Sequence, residues 1–143
     1  MIVSMILKEK GRAVATIGAQ ATIGEAVSEL AAHKIGAIVV VENNDRIVGI
    51  ISERDIVRAI GVSGTEVLSK PVGSIMTPDV MTCVDSETIN DVMGRMTRGR
   101  FRHLPVEEHG RLTGIISIGD VVKARIEEVE REAEEMRAYI ATA

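Results

Sequence analysis

The residues best suited to chemistry in this chain are a serine and an aspartate, three positions apart, that occur twice. Ser52 and Asp55 form the first pair, and Ser117 and Asp120 form the second. Each pair directly follows an apolar run typical of a strand, where a helix is expected to begin. A carboxylate there can accept hydrogen bonds from two neighbouring hydroxyls, such as those of a ribose, while the serine hydroxyl and free helix amides favour a phosphate. A capping box, which needs no ligand, explains the same spacing.

A second group with chemical potential is a basic cluster shortly before the second pair. Arg98, Arg100, Arg102 and His103 lie within six consecutive residues, and the last two directly precede Leu104. The planar guanidinium group suits phosphate oxygens, and a histidine can titrate near neutral pH. The alternative interpretation of this cluster is a charged turn that is only solvated and binds no ligand.

These candidates belong to an internal repeat that sets the architecture. The stretch 22–55 recurs, in register until the last loop, as 88–120. Two copies in a chain of domain size predict two small units around a shared interior. The repeats are assigned as follows: 8–62 for the first, 63–78 for a linker, 79–126 for the second and 127–143 for a helical extension.

Each repeat predicts the element order β-α-β-β-α, and hence a mixed α/β (α+β) fold with the two repeats related by a pseudo-two-fold axis. Thr22 and Thr88 are expected to cap the first helix of each copy. The predicted strands and hairpins are 13–17 followed by 37–41 and 46–51, then 80–84 followed by 103–107 and 111–116. Asn, Asp and Gly between the paired runs are typical of hairpin turns. The final helix of each copy is expected to begin at Ser52 or Ser117.

The last helix continues beyond the second repeat with an apolar stripe. Its members recur at alternating spacings of four and three residues: Val122, Ile126, Val129, Ala133, Met136 and Ile140. Such a heptad stripe either packs on its own domain or packs against a second chain. A homodimer or larger homo-oligomer is the expectation if the second alternative holds.

Composition narrows the function classes. The net charge of −4 and the presence of only one Phe and one Tyr argue against a nucleic-acid surface. The single cysteine, Cys83, allows no internal disulfide and indicates a reducing compartment. The apolar run at the start is too short to span a bilayer, so we expect a soluble cytoplasmic protein without a membrane partner. The sequence contains no phosphate-binding loop, no His/Cys spacing typical of a zinc site and no nucleophile elbow. These observations argue against a metal site and against catalysis.

The repeat order, the sequence Gly-Ile-Ile-Ser-x-x-Asp that ends each copy, and Phe-Arg-His-Leu-Pro-Val at 101–106 together resemble the cystathionine β-synthase (CBS) domain family. More narrowly, residues 8–126 resemble a stand-alone tandem pair, the Bateman module. The resemblance implies binding of an adenosyl ligand (AMP, ADP, ATP, S-adenosylmethionine or NAD) in two clefts between the repeats, with no prosthetic group.

The resemblance also implies the site residues. Asp55 and Asp120 would bind ribose, with Ser52 and Ser117 on phosphate or ribose, and Arg102 and His103 on phosphate. The remaining implied contacts and apolar walls are Gly36, Ala37, Ile35, Phe101, Ile50, Ile115, Ser74 and Ile75, the last two from the segment before the second repeat. In similar proteins each cleft takes its Asp from one repeat and part of its wall from the other.

On that pairing, Asp55 faces Arg102 and His103, and Asp120 faces Gly36 and Ala37, which leaves the two clefts unequal. The sequence therefore predicts a non-enzymatic regulatory module that senses an adenine nucleotide and signals to an unknown protein partner. The alternative is a constitutive oligomerisation or docking scaffold whose clefts are vestigial. Ligand-dependent thermal stability would discriminate between them.

Overall fold

A computed structural model describes residues 1–142 of the chain. The first repeat contains β1 (Thr16–Ile17), α2 (Ile23–His33), β2 (Ala37–Glu42), β3 (Arg46–Ser52) and α3 (Glu53–Ser63), after an N-terminal helix α1 (Val3–Lys10). The second repeat contains α4 (Ile89–Gly99), β4 (His103–Glu108), β5 (Arg111–Ser117) and α5 (Ile118–Thr142). The mixed α/β fold predicted from the repeat is confirmed.

The five strands form one sheet in the order β1-β2-β3-β5-β4. Each repeat contributes an antiparallel hairpin, and the hairpins meet at their turns, where Arg46 pairs with Arg111. Backbone hydrogen bonds from Ile47 to Gly110 (3.2 Å) and from Leu112 to Asp45 (2.8 Å) join them. The repeats are thereby fixed side by side, with their helices beginning at corresponding places.

Two apolar cores lie under this sheet, one for each repeat. The first is built around Ile23, Ile38 and Ile51, and the second around Ile89 and Leu104, all of which are essentially inaccessible. The second core also takes in Val3 and Leu7 from α1, so the N-terminal helix belongs to the second repeat in space although it precedes the first in sequence.

Both predicted first helices begin as expected. The Thr22 hydroxyl accepts a hydrogen bond from the Glu25 amide at 3.1 Å, and the Glu25 carboxylate accepts one from the Thr22 amide at 3.0 Å. The Thr88 hydroxyl likewise accepts from the Asp91 amide at 3.2 Å. The linker forms a 3₁₀ helix over Thr65–Ser69, and another follows at Val72–Ser74.

The strands that open each repeat are shorter than predicted. Only Thr16–Ile17 of the expected 13–17 pairs, in parallel with β2, and the expected 80–84 strand is reduced to one bridge between Cys83 and Val106. Side chains take the backbone groups that a longer ladder would use. The Arg95 guanidinium donates to the Thr82 carbonyl, and the Glu87 carboxylate accepts from the Val84 amide.

Helix α5 extends well past the second repeat. Every residue from Val129 to Thr142 is exposed, including stripe members Met136 and Ile140, which are 60% and 67% exposed. The stripe is thus not covered by any described part of its own chain. Among residues 1–142, no helix is both long enough and apolar enough to cross a membrane.

Candidate functional site

A cleft, the Asp55 cleft, lies between the two repeats, beside the start of α3. It has a volume of about 360 Å³, within the range of small-ligand sites. Its walls come from the start of α3, from the segment that leads into the second repeat and from the turn before β4. The lining residues are Gly36, Ala37, Ile50, Ser52, Glu53, Arg54, Asp55, Arg58, Thr77, Asp79, Val80, Met81, Arg100, Phe101, Arg102 and His103.

Ser52 and Asp55 form a capping box at the start of α3. The Ser52 hydroxyl accepts from the Asp55 amide at 3.2 Å, and Asp55 Oδ2 accepts from the Ser52 amide at 2.9 Å and from its hydroxyl at 3.0 Å. The motif is therefore a capping box, as one interpretation of the sequence predicted. The capping box leaves one carboxylate oxygen available, because within residues 1–142 Asp55 Oδ1 accepts no hydrogen bond while Asp55 lines the cleft.

The segment that leads into the second repeat forms the facing wall. Ile50 and Thr77 exchange two backbone hydrogen bonds, of 3.0 and 2.8 Å, which hold this segment against β3. Val80 and Met81 follow it and, together with Ile50 and Phe101, give the cleft an apolar side. The Phe101 ring lies directly against Gly99, where any Cβ would collide with it. This side of the cleft thus consists of aliphatic side chains and one aromatic ring.

The charged side of the cleft holds four arginines, at positions 54, 58, 100 and 102, and three carboxylates, at positions 53, 55 and 79. Two of these arginines come from the basic cluster singled out in the sequence. Arg98 of that cluster is not among the lining residues; its guanidinium folds back over Gly94 of its own helix. The structure therefore divides the cluster, with Arg100, Arg102 and His103 at the cleft.

His103 lies near the centre of the molecule, between the two Ser-x-x-Asp motifs. Burial lowers its pKa below the usual value, and Lys10 and Arg102 act in the same direction, whereas Asp120 and Glu53 oppose them. The lowered pKa favours the neutral ring, which offers one N–H donor rather than a positive charge.

Gly36 and Ala37 do not occupy the place expected of them. The family pairing predicts that they face Asp120, but the structure places both in the cleft of Asp55, together with Arg102 and His103. A Cβ on Gly36 would lie 3.5 Å from a Glu53 carboxylate oxygen and 3.8 Å from the His103 ring. The two hairpin starts meet across the pseudo-two-fold axis, so one cleft receives both.

The second Ser-x-x-Asp motif has the same local geometry but a different neighbour. Asp120 Oδ2 accepts from the Ser117 amide at 2.9 Å, and the Ser117 hydroxyl accepts from the Asp120 amide at 3.2 Å. Lys10 Nζ lies 2.6 Å from the same Oδ2. Burial alone raises the pKa of Asp120, but the hydrogen bonds from Lys10 and Ser117 outweigh it and lower that pKa.

The other predicted contacts lie around the Asp55 cleft rather than in it. Ile35 packs against the first core and lines a separate groove between α2 and α3. Ser74 and Ile75 line a shallow groove on the far side of Asp55, where the Ser74 hydroxyl donates to the Pro71 carbonyl at 2.7 Å. The Ile115 carbonyl accepts from Lys10 Nζ at 3.0 Å.

Sequence reasoning missed several residues of the cleft, above all Arg58, Thr77 and Asp79. Arg58 had a usable signal, since it lies one helical turn after Asp55 and therefore on the same face of α3. Thr77 and Asp79 had none, because they lie in a segment without regular structure that reaches the cleft only through the backbone pairing with Ile50.

The family model described as CBS domain matches this chain twice, at residues 11–62 and 72–127. The mitochondrial CBS-domain protein CBSX3 of Arabidopsis thaliana is 38% identical over 123 residues, which cover 83% of this chain and 60% of that protein. The chain spans about three fifths of the length of two curated relatives and between 22% and 39% of the length of six others.

Solved structures agree with the family model. A CBS-domain protein from Agrobacterium tumefaciens is 50% identical with a TM-score of 0.84, covering 87% of this chain and 99% of its own. A CBS-domain protein from Pyrobaculum aerophilum, solved in complex with AMP, is 31% identical with a TM-score of 0.75, covering 84% of this chain and 89% of its own. With two matched repeats that fill most of its length, the chain belongs to the CBS-domain family.

Proposed function

We propose that this chain is a regulatory module that binds an adenine nucleotide in the Asp55 cleft and reports its presence to a partner protein. The carrying observation is the cleft itself, in which the Asp55 carboxylate, the start of α3, an apolar wall and four arginines surround one volume. An adenine nucleotide presents hydroxyls, phosphate and a flat apolar base, and the cleft offers a matching group for each. The AMP complex of the Pyrobaculum aerophilum relative supports the same ligand class.

Calorimetric titration with AMP tests this assignment, with Asp55→Ala and Asp120→Ala as a matched pair. We expect the tight binding event to vanish in Asp55→Ala, because the carboxylate that would accept from the ribose is removed. It should persist in Asp120→Ala, because that carboxylate is already paired with Lys10. Equal losses in both variants would contradict the assignment to the Asp55 cleft.

The proposed module is not an enzyme. The cleft holds a ribose-binding carboxylate and arginines, but the geometry gives no carboxylate or imidazole an evident role as a base on water at a phosphorus atom. Purified protein incubated with ATP should return it intact. Hydrolysis that survives purification and disappears in Asp55→Ala would overturn this part of the proposal.

The proposal places the module in the cytoplasm and includes a homodimer formed through the exposed stripe of α5. In a parallel, in-register pair of these helices, Arg125 would meet Glu130 of the partner subunit and Glu132 would meet Arg137 of the partner subunit, so that each contact joins opposite charges. A second copy of the chain thus complements the stripe in both apolar surface and charge.

The alternative is a constitutive scaffold, and one observation favours it: the stripe offers a docking surface whether or not a nucleotide binds. A scaffold with vestigial clefts should be indifferent to nucleotides. A sensor should be stabilised by them, since a ligand that binds only the folded state raises its free energy of unfolding.

A further inference from the structure

The N-terminal helix α1 brings a lysine to the second Ser-x-x-Asp motif. Lys10 is the last residue of α1, and its Nζ lies 2.6 Å from Asp120 Oδ2 and 3.0 Å from the Ile115 carbonyl oxygen. The ammonium group therefore bridges the start of α5 and the strand β5 that precedes it.

The first repeat has the same two elements without such a bridge. Asp55 and Ile50 hold the positions equivalent to Asp120 and Ile115, and both line one open cleft. Within the described residues 1–142, the Asp55 carboxylate accepts from Ser52 only, and the Ile50 carbonyl accepts from the Thr77 amide at 2.8 Å. The space that is open between carboxylate and strand in the first repeat is occupied by the Lys10 ammonium in the second.

The helix that presents Lys10 is firmly attached to the second repeat. Val3 and Leu7 are buried in its core, and the Val3 amide donates to the Glu87 carbonyl at 2.9 Å. Just after Lys10, the Arg12 guanidinium donates to Asp85 at 2.8 Å and to the Thr113 carbonyl at 3.3 Å. The backbone of Lys10 is thus held in place by the docked helix before it and by the Arg12 contacts after it. Both keep the ammonium group close to Asp120 and the Ile115 carbonyl.

We propose that Lys10 is a built-in occupant of the Asp120 cleft that restricts the chain to one adenine nucleotide, bound beside Asp55. This inference rests on the proposed function, because it assumes that the Asp55 cleft binds the nucleotide. Lys10 acts by engaging the ribose-binding carboxylate and closing the gap to β5. The two motifs are alike in sequence, and a lysine from the N-terminal helix α1 makes them unequal.

Calorimetric titration with AMP, reading the number of sites per chain, tests this inference. Wild-type protein should bind one AMP per chain, and Lys10→Ala should bind two. Lys8→Ala is the matched control, because Lys8 lies exposed on the same helix and forms no ion pair within residues 1–142; it should keep one site. Adding Asp120→Ala to Lys10→Ala should return the number to one, and an unchanged thermal midpoint in Lys10→Ala would show that α1 remains docked.

The outcomes separate the two proposals. One site in both wild type and Lys10→Ala would overturn the role of Lys10 and leave the proposed function intact, as would two sites already in wild type. Weaker binding at the single site of Lys10→Ala would make Lys10 a contact of the nucleotide and also overturn the inference. No AMP binding to wild type but one site in Lys10→Ala would refute the Asp55 assignment and, with it, the limit of one nucleotide beside Asp55; no binding to either protein would overturn both proposals.

Discussion

Asp55 and Asp120 hold equivalent positions in the two repeats, yet their surroundings differ. Both accept a hydrogen bond from the amide of the serine three residues earlier, as a capping box requires. Asp55 opens onto a cleft with four arginines, while Asp120 is paired with Lys10 at 2.6 Å. Identical local motifs are therefore compatible with one available site and one that the chain closes itself.

Arg102 is the residue that most directly tests the phosphate end of the cleft. We expect Arg102→Ala to weaken AMP binding by tenfold or more, because a charge-assisted hydrogen bond contributes about 1.5–3 kcal/mol. Binding of adenosine, which lacks the phosphate, should change much less. Calorimetry with both ligands measures the difference.

Arg98 supplies the control for that experiment. It belongs to the same basic cluster in sequence, but its guanidinium lies over Gly94 and away from the cleft. Arg98→Ala should therefore leave AMP affinity unchanged. An equal loss in the two variants would point to a general effect of positive charge and contradict a specific phosphate contact.

The sequence predicted these site residues to different extents, for physical reasons. The Ser-x-x-Asp pairs and the Arg102–His103 pair could be found because residue type and spacing define them. Lys10 could not, since it belongs to α1 and reaches Asp120, in the other repeat, only through the docking of that helix. The placement of Gly36 and Ala37 was wrong because it depends on how two hairpins meet at the pseudo-two-fold axis, which no local pattern records.

At the scale of elements, local chemistry determined most of the fold. Threonine and serine caps determine where four helices begin, and Asn, Asp and Gly in the turns determine where both hairpins reverse direction. The opening strands were overestimated, because apolar β-prone residues do not reveal that side chains such as Arg95 take the backbone partners. Helix α1 was not predicted, since its apolar run is short and its apolar residues are buried only by packing against the second core.

Helix α5 carries the prediction that belongs to this scale. We expect Met136→Glu to dissociate or rearrange the homodimer, because it places a charge in the apolar stripe, where Met136 is 60% exposed in the single chain. Ala138→Glu, on the opposite side of the same helix and also exposed, is the matched control and should preserve the assembly. Light scattering measures the mass of each.

Deleting residues 128–143 should act in the same direction while leaving both repeats folded, since residues 129–142 are all exposed. A monomeric full-length protein would contradict the dimer outright. A dimer that survives both the deletion and Met136→Glu would place the interface elsewhere on the molecule.

At the scale of the whole molecule, the proposed nucleotide site lies between the two repeats. Each has its own core, and the sheet joins them only where their hairpin turns meet. A nucleotide bound between Asp55 of one repeat and Arg102 of the other contacts both, so it stabilises one relative orientation. The change it produces is limited by its difference in affinity for the two orientations.

The most direct measurement of the central claim is thermal unfolding with and without millimolar AMP, for wild type and Asp55→Ala. At a hundredfold excess over the dissociation constant, a ligand specific for the folded state adds about 2.7 kcal/mol to the free energy of unfolding. We predict a higher melting temperature with AMP for wild type and no change for Asp55→Ala. A wild-type protein that melts at the same temperature with AMP, ATP and NAD as without them would contradict nucleotide sensing and favour the scaffold.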